Sequence, residues 1–419
     1  MHRPRLLQTA LLLFAPMAFS TARAQDWPQW RGPNGNNHAA PGAAAPTQWS
    51  ETSGLAWKTP IPGRGHSSPT LFGDRIYLTT CDEDAETQSL LVIDRATGRL
   101  LKQTTAHVGK LLPKVHPNNT HASPTVACDG RQVYALFGND LAAWVTAFDL
   151  EGNAVWQKRA TGFDPRRYEF GFGSSPVLAG GLVVVTSEYD GPESAVVALN
   201  PADGSQAWLS PRTQSLSYSS VARVPVGGQT QLIMSGNRRI AAYDPASGRE
   251  LWGVAGSTFA TCGTMVWDEA QGLAFASGGY PDSFTLAVRT GGDHAIVWQN
   301  NVKCYEQSLL VAGDYLYGVS DRGVAYCWRS ADGQEMWKER LGGAFSASPV
   351  LVDGKLYVTN ESGTTFVYAA TPDGYQPIAE NQLGDEGFAT FTPCDGRLYH
   401  RYAKREGGQR QEYLVAIGN

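Results

Sequence analysis

The stretch AYDPASGRELW (Ala242–Trp252) decides the fold. An apolar run ends in an aspartate, a glycine follows four residues later, and a tryptophan follows four beyond that. Relatives of it recur along the chain as VIDRATGRLL (Val92–Leu101), AFDLEGNAVW (Ala147–Trp156) and ALNPADGSQAW (Ala198–Trp208). Degenerate copies follow as TGGDHAIVW (Thr290–Trp298), SADGQEMW (Ser330–Trp337) and ATPDGYQPI (Ala370–Ile378). Each unit opens on Ser-Ser-Pro or a relic of it, as in RGHSSPT (Arg64–Thr70) and THASPT (Thr120–Thr125). Aligned on that element, the openings fall at Pro69, Pro124, Pro176, Val221, about Met265, Leu309, Pro349 and Phe391.

Between opening and ending lie alternating runs such as RIYLTT (Arg75–Thr80), LVVVTS (Leu182–Ser187) and KLYVTN (Lys355–Asn360). Period-two alternation marks strands with one buried face, and no segment carries a helical period. Units of 40–55 residues built from short strands predict propeller blades. The last unit stops at YLVAIGN (Tyr413–Asn419), one strand short, and SGLAWKTP (Ser53–Pro60) supplies a strand before the first opening. The expectation is therefore an all-β, eight-bladed propeller of four-stranded antiparallel blades over residues 53–419, closed by its N-terminal strand. Seven blades remain open because the fifth unit is weak. The repeated tryptophans, at equivalent positions in successive blades, are expected to lock each blade to its neighbour.

Composition narrows the function. The 419 residues carry a formal net charge of −5 and offer no basic footprint for nucleic acid. Basic His2, Arg3 and Arg5, an apolar run to Phe19 and Ala22-Arg-Ala24 read as a secretory signal peptide over residues 1–24. No cysteine stands there for a lipid anchor, and no later stretch is long and apolar enough to span a membrane. An exported protein, periplasmic or secreted, follows. Residues 25–52 are expected to pack on the propeller. The six scattered cysteines contain no CxxC, so a cysteine zinc site is not expected. Cys262 and Cys304, in linkers entering neighbouring inner strands, are the pair placed for a disulfide.

The units resemble the PQQ-like β-propeller repeat family, on the Asp-x-x-x-Gly-x-x-x-Trp ending and on DWPQWRGPNG (Asp26–Gly35) followed by PIPGRGHSSP (Pro60–Pro69). That family includes quinoprotein dehydrogenases, in which the quinone lies over a tryptophan beneath a disulfide of adjacent cysteines and beside calcium. It also includes a non-catalytic propeller of outer-membrane assembly. The resemblance implies the fold. This sequence has no Cys-Cys pair and no CxxCH, so no cofactor is expected, with PQQ and Ca²⁺ as the alternative.

In a propeller the linker entering each innermost strand lies on one rim of the central channel. The slot three residues before the aligned proline holds His66, His121, Tyr218 and Glu306 in their blades, and the slot two earlier holds Arg64, Asn119 and Glu386. These seven residues form the candidate rim of a ligand-binding funnel. The long linkers HPNNTH and FDPRRYEFGFG offer His116, Asn118, Arg166, Arg167 and Tyr168 as partner contacts. No metal is expected, and the acidic CDEDAET (Cys81–Thr87) reads as a solvated loop. No Gly-x-Ser-x-Gly, HExxH or phosphate loop is present, so no catalytic residue is assigned. The expected function is a binding scaffold, monomeric or within a complex, for an envelope protein, glycan or small ligand. The alternative is an oxidoreductase or other enzyme using the rim histidines and tyrosine.

Overall fold

A computed structural model describes residues 26–214 and 216–418; the signal-peptide stretch lies outside the described residues. Eight four-stranded antiparallel sheets, with no helix among the described residues, form an eight-bladed propeller. The eighth sheet joins Leu55–Ile61 to Gln409–Ile417, so the N-terminal strand closes the ring and leaves no blade with an open seam. The weak fifth unit is a full blade, from Val266–Asp268 to Ile296–Asn300.

The core lies between blades rather than within them. Val184, Val196 and Ala198 of the third blade face Leu232, Met234 and Ala241 of the fourth, all fully buried. Each blade is thus apolar on both faces, which is why its middle strands read as near-continuous hydrophobic runs.

The repeated ending does the locking. Asp244 Oδ1 accepts from the Ser247 amide at 2.8 Å, forming a tight turn that Gly248 completes at φ +69°. Trp208, which closes the preceding blade, lies on that glycine and donates Nε1 to the Pro245 carbonyl at 3.1 Å. Trp57, Trp156, Trp298 and Trp337 likewise donate to carbonyls of the next blade's turn, at 2.7–3.2 Å.

Residues 26–50 form a strap across one face of the ring. Its contacts visit the inner strands in blade order: Trp27 with Leu71, Pro28 with Cys128, Gln29 with Leu178, Arg31 with Leu309, and Asn37 with Pro349. Trp49 then docks between Tyr357 and Phe391.

Candidate functional site

Each inner strand begins two residues after a serine or threonine: Ser68, Thr125, Ser175, Ser220, Thr264, Ser308, Ser348 and Thr390. These hydroxyls ring the channel. Seven amides of the set each donate to the hydroxyl of the next blade, at 2.8–3.1 Å, from Ser68 round to Ser220 and from Thr264 back to Ser68. At the remaining junction the Thr264 hydroxyl accepts from the indole Nε1 of Trp30, at 2.9 Å. The strap thus inserts a tryptophan into the ring and floors the channel.

The residues two before each hydroxyl form the wall above: His66, Ser123, Gly173, Tyr218, Cys262, Glu306, Ser346 and Phe388 all line one funnel. His116, Asn118, Asn119 and Phe170 complete it. Of the seven rim candidates, the structure brings His66, Asn119, Tyr218 and Glu306 together on this funnel, and it adds the loop residues His116 and Asn118.

His121 is a correction. The second blade's hydroxyl comes from Thr125, not Ser123, so aligning Pro124 with Pro69 shifts that linker by two residues. Ser123 fills the wall slot and His121 falls one slot behind. The echoed histidines are therefore not equivalent. Arg64 and Glu386 also stand off the wall. Arg64 donates to the Pro117 carbonyl at 3.1 Å and lies 3.8 Å from Glu83, while Glu386 accepts from Arg410 at 2.7 Å.

Arg166 and Arg167 use their amides to bind the Asp190 carboxylate, at 2.9 and 3.0 Å, and do not reach the funnel. Tyr168 bridges to the fifth blade, its hydroxyl 3.0 Å from that of Tyr280.

A second correction concerns Cys262 and Cys304, whose thiols are free. Cys262 lines the funnel beside the Tyr305 hydroxyl, whereas Cys304 is wholly buried between blades with Leu309 and Trp328. The two side chains thus lie in different surroundings, one on the funnel and one between blades, and their sulfurs are not joined. Burial pushes both thiols up, which makes them poor nucleophiles.

The wall has a defined electrostatic character. The His66 ring stacks on Phe388 at 4.3 Å, and its Nε2 is buried without a partner. Burial holds His66 well below the usual histidine range, with the Arg64, Arg401 and Arg410 charges acting the same way. The Tyr218 hydroxyl is likewise buried and unpartnered. Burial pushes the Glu306 carboxyl up to about 6, reinforced by Glu361, while a bond from Ser346 opposes. Ser346 Oγ lies 2.5 Å from Glu306 Oε2 and 2.7 Å from Glu361 Oε1, and Asn118 Nδ2 caps Glu361 at 3.2 Å.

Sequence reasoning places Ser346 and Phe388 in the same repeat slot as His66 without counting them among the candidates, and it misses Trp30 and Glu361. Trp30 and Glu361 lie outside that slot.

The residues do not fit the quinone cofactor. A polycarboxylate quinone calls for arginine or lysine, and neither is among the lining residues, while Glu306 would repel it. Among the described residues no group of three or more His, Cys, Asp or Glu converges to hold a metal. No helix among them is long and apolar enough to cross a membrane.

Comparison with solved structures gives BamB from Moraxella catarrhalis, at 13% identity and TM-score 0.59, covering 86% of this chain and 99% of that one. The computationally designed Ika8 protein matches at 12% identity and TM-score 0.59, over 85% and 98%. A europium-containing methanol dehydrogenase matches at 11% and 0.50, over 94% and 98%. At these identities the likeness is one of fold. Comparison with curated proteins gave no match. The profile described as "Outer membrane protein assembly factor BamB" matches residues 42–171, 166–339 and 286–411. With most of its length matched, the chain belongs to that family.

Proposed function

We propose that the protein is an exported, non-catalytic binding propeller whose working site is the strap-floored funnel. The observation that carries this reading is the pair of wall atoms, His66 Nε2 and Tyr218 Oη, buried without partners among residues that line the cavity with aromatic rings, hydroxyls, amides and one carboxylate. Buried polar atoms are normally satisfied, and unsatisfied ones at a pocket wall are what an incoming ligand completes. A catalytic reading lacks its parts. Ring hydroxyls accept from main-chain amides, the one lining thiol is pushed up, and His66 is held neutral.

The rim supplies a second surface. Phe170 and Tyr280 are among the exposed large hydrophobics, and Tyr168 links them. An envelope partner docking there fits a family named for outer-membrane assembly. Residues 1–24 deliver the chain across the inner membrane and are cleaved after Ala24.

Three measurements test this. N-terminal sequencing of the protein from a periplasmic fraction is expected to begin at Gln25. Dye reduction with quinone, Ca²⁺ and alcohols is expected to be absent, and turnover would overturn the non-catalytic reading. A photo-crosslinking residue at Tyr168 is expected to trap one envelope protein that the same residue placed at exposed Ala246, on the Asp244 turn at the other end of the blades, does not. Equal labelling from both positions would overturn the rim assignment.

A further inference from the structure

Resting on the reading of the funnel as a binding site, we propose that its ligand is a protonated amine carried on an apolar stem. The source is either a free amine or the lysine side chain of a peptide.

Ser346 Oγ sits within hydrogen-bond distance of two carboxylates, at 2.5 Å from Glu306 and 2.7 Å from Glu361. A serine hydroxyl carries one proton and can donate to only one of them. The Asn118 amide supplies a further donor, to the same Glu361 oxygen, at 3.2 Å. Glu306 is therefore left short of donors inside a largely apolar cavity, where an uncompensated carboxylate is costly.

His66 points to the same ligand independently. The Asn118 main chain lies in hydrogen-bond reach of its ring, and Nε2 is the nitrogen left without a partner. With the ring held neutral, one of its nitrogens carries a lone pair. Tyr218 Oη can also accept. Glu306 and the neutral His66 ring add acceptor capacity to the wall, and no arginine or lysine is among the lining residues to oppose a cation.

An ammonium meets this demand with three donors and a charge of the right sign. Its stem would lie along Phe388, Phe170 and the Trp30 floor, whose ring faces favour a cation beside them. An anion would meet the Glu306 carboxylate, and a neutral alcohol would leave its charge uncompensated.

The charged groups around Glu306 set the pH dependence. Burial, Glu361 and Asp321 raise it to about 6, while Ser346 and Lys303 oppose. Below that pH the carboxylate is neutralised and amine affinity falls, although the amine itself stays charged.

The test labels the full mature protein with 5-fluorotryptophan and assigns the Trp30 resonance from its loss in W30F. Trp30 on the floor reports any occupant of the funnel. Cadaverine and an N-acetylated Ala-Lys-Ala amide are titrated against 1-pentanol, pentanoate, calcium chloride and the norleucine peptide. A saturable Trp30 shift with either amine, and none with the other probes, is the expected result. Cadaverine binding tighter identifies a free amine, and the lysine peptide binding tighter identifies a basic side chain. Glu306→Gln is expected to weaken binding about tenfold or more, as is Glu361→Gln nearer the rim, with the other tryptophan resonances reporting that both variants are folded. Affinity is expected to drop between pH 7.5 and 5 in the wild type and in Glu361→Gln, which keeps Glu306, and to stay level in Glu306→Gln. Saturation by pentanoate, pentanol or calcium instead of the amines overturns the amine assignment while leaving a binding funnel in place. An unmoved Trp30 resonance with every probe overturns the amine assignment as well, and a broader panel of envelope metabolites leaving it unmoved overturns the funnel itself.

Discussion

Trp30 Nε1 and Thr264 Oγ1 lie 2.9 Å apart, and this bond joins the N-terminal strap to the ring of hydroxyls around the channel. In other blades the hydroxyl is held by a neighbouring main-chain amide; at Thr264 it is held by a side chain 234 residues away. Trp30→Phe keeps a ring on the floor but removes the donor. A net loss of about 1 kcal/mol is expected. Trp30→Ala also removes the floor, and hydrogen exchange at the Thr264 and Ser308 amides should then rise above that of the other six inner-strand entries.

The locking of blades is tested at Gly248. A Cβ there would lie 2.3 Å from Trp208 Cε3, on a residue at φ +69°. Gly354 has the same φ of +69° but meets nothing within 4 Å. Gly354→Ala therefore reports the backbone penalty alone, roughly 1–2 kcal/mol. Gly248→Ala adds the displaced tryptophan and is expected to cost roughly 2–5 kcal/mol in all. Equal urea midpoints for the two variants would show that the tryptophan does not lock the blades.

The blade count was legible because the interblade lock has a fixed chemical form, an aspartate turn, a glycine under a tryptophan and that tryptophan's donor. The fifth unit was faint because His294 stands where that glycine belongs. It adopts φ +53° and stacks on Trp252 at 4.4 Å, while the Trp252 indole donates to Gln231 Oε1 of its own blade at 2.8 Å, so the stacking half of the lock is kept and its hydrogen bond is redirected. His121 was misplaced because the long second linker offers two plausible registers, and only the Thr125 hydroxyl distinguishes them. The wall slot itself was readable, since its residues recur at a constant offset from each inner strand. Trp30 was not, because it enters the site from the strap, outside the repeat register. Glu361 lies within the register, on the turn equivalent to that of Asp321 in the sixth blade, but in a different slot from the wall residues.

The closing seam between the last and first blades holds a buried ion pair. Arg401 and Glu412 are each 2% exposed; Arg401 Nε donates to Glu412 Oε2 at 2.6 Å and Nη1 to the Thr79 carbonyl at 2.6 Å. Glu412 Oε1 accepts from the Gly65 amide at 3.0 Å, beside His66. Glu412→Gln leaves the guanidinium buried without its counter-charge, and a loss of about 3–5 kcal/mol is expected. Replacing both residues by methionine removes the stranded charge, so the double variant should be more stable than Glu412→Gln despite carrying more changes. A double-mutant cycle in urea reads the coupling directly.

Two buried groups give stability opposite dependences on pH. His400 is wholly buried on Phe391, 4.2 Å between ring centroids, with neither nitrogen partnered, and burial lowers it to about 3. The unfolded chain takes up this proton near the ordinary histidine value of about 6.5, so folding stability falls as pH drops from there toward 3. By pH 5 the loss is about 2 kcal/mol, since each pH unit in that window is worth about 1.4 kcal/mol. Glu306, raised to about 6, acts the other way: the folded state holds its proton more tightly, so stability rises as pH falls from about 6 to the unfolded carboxyl value near 4.3. In wild-type protein the two trends partly cancel between pH 6 and 4.5. His400→Phe should lessen the fall of the urea midpoint on acidification through that window without reversing it, because burial lowers His66 and His107 in the same direction. Glu306→Gln should expose the histidine trend, giving a midpoint that falls more steeply than wild type. Parallel midpoint curves for all three proteins from pH 7 to 4.5 would show that neither group is linked to folding.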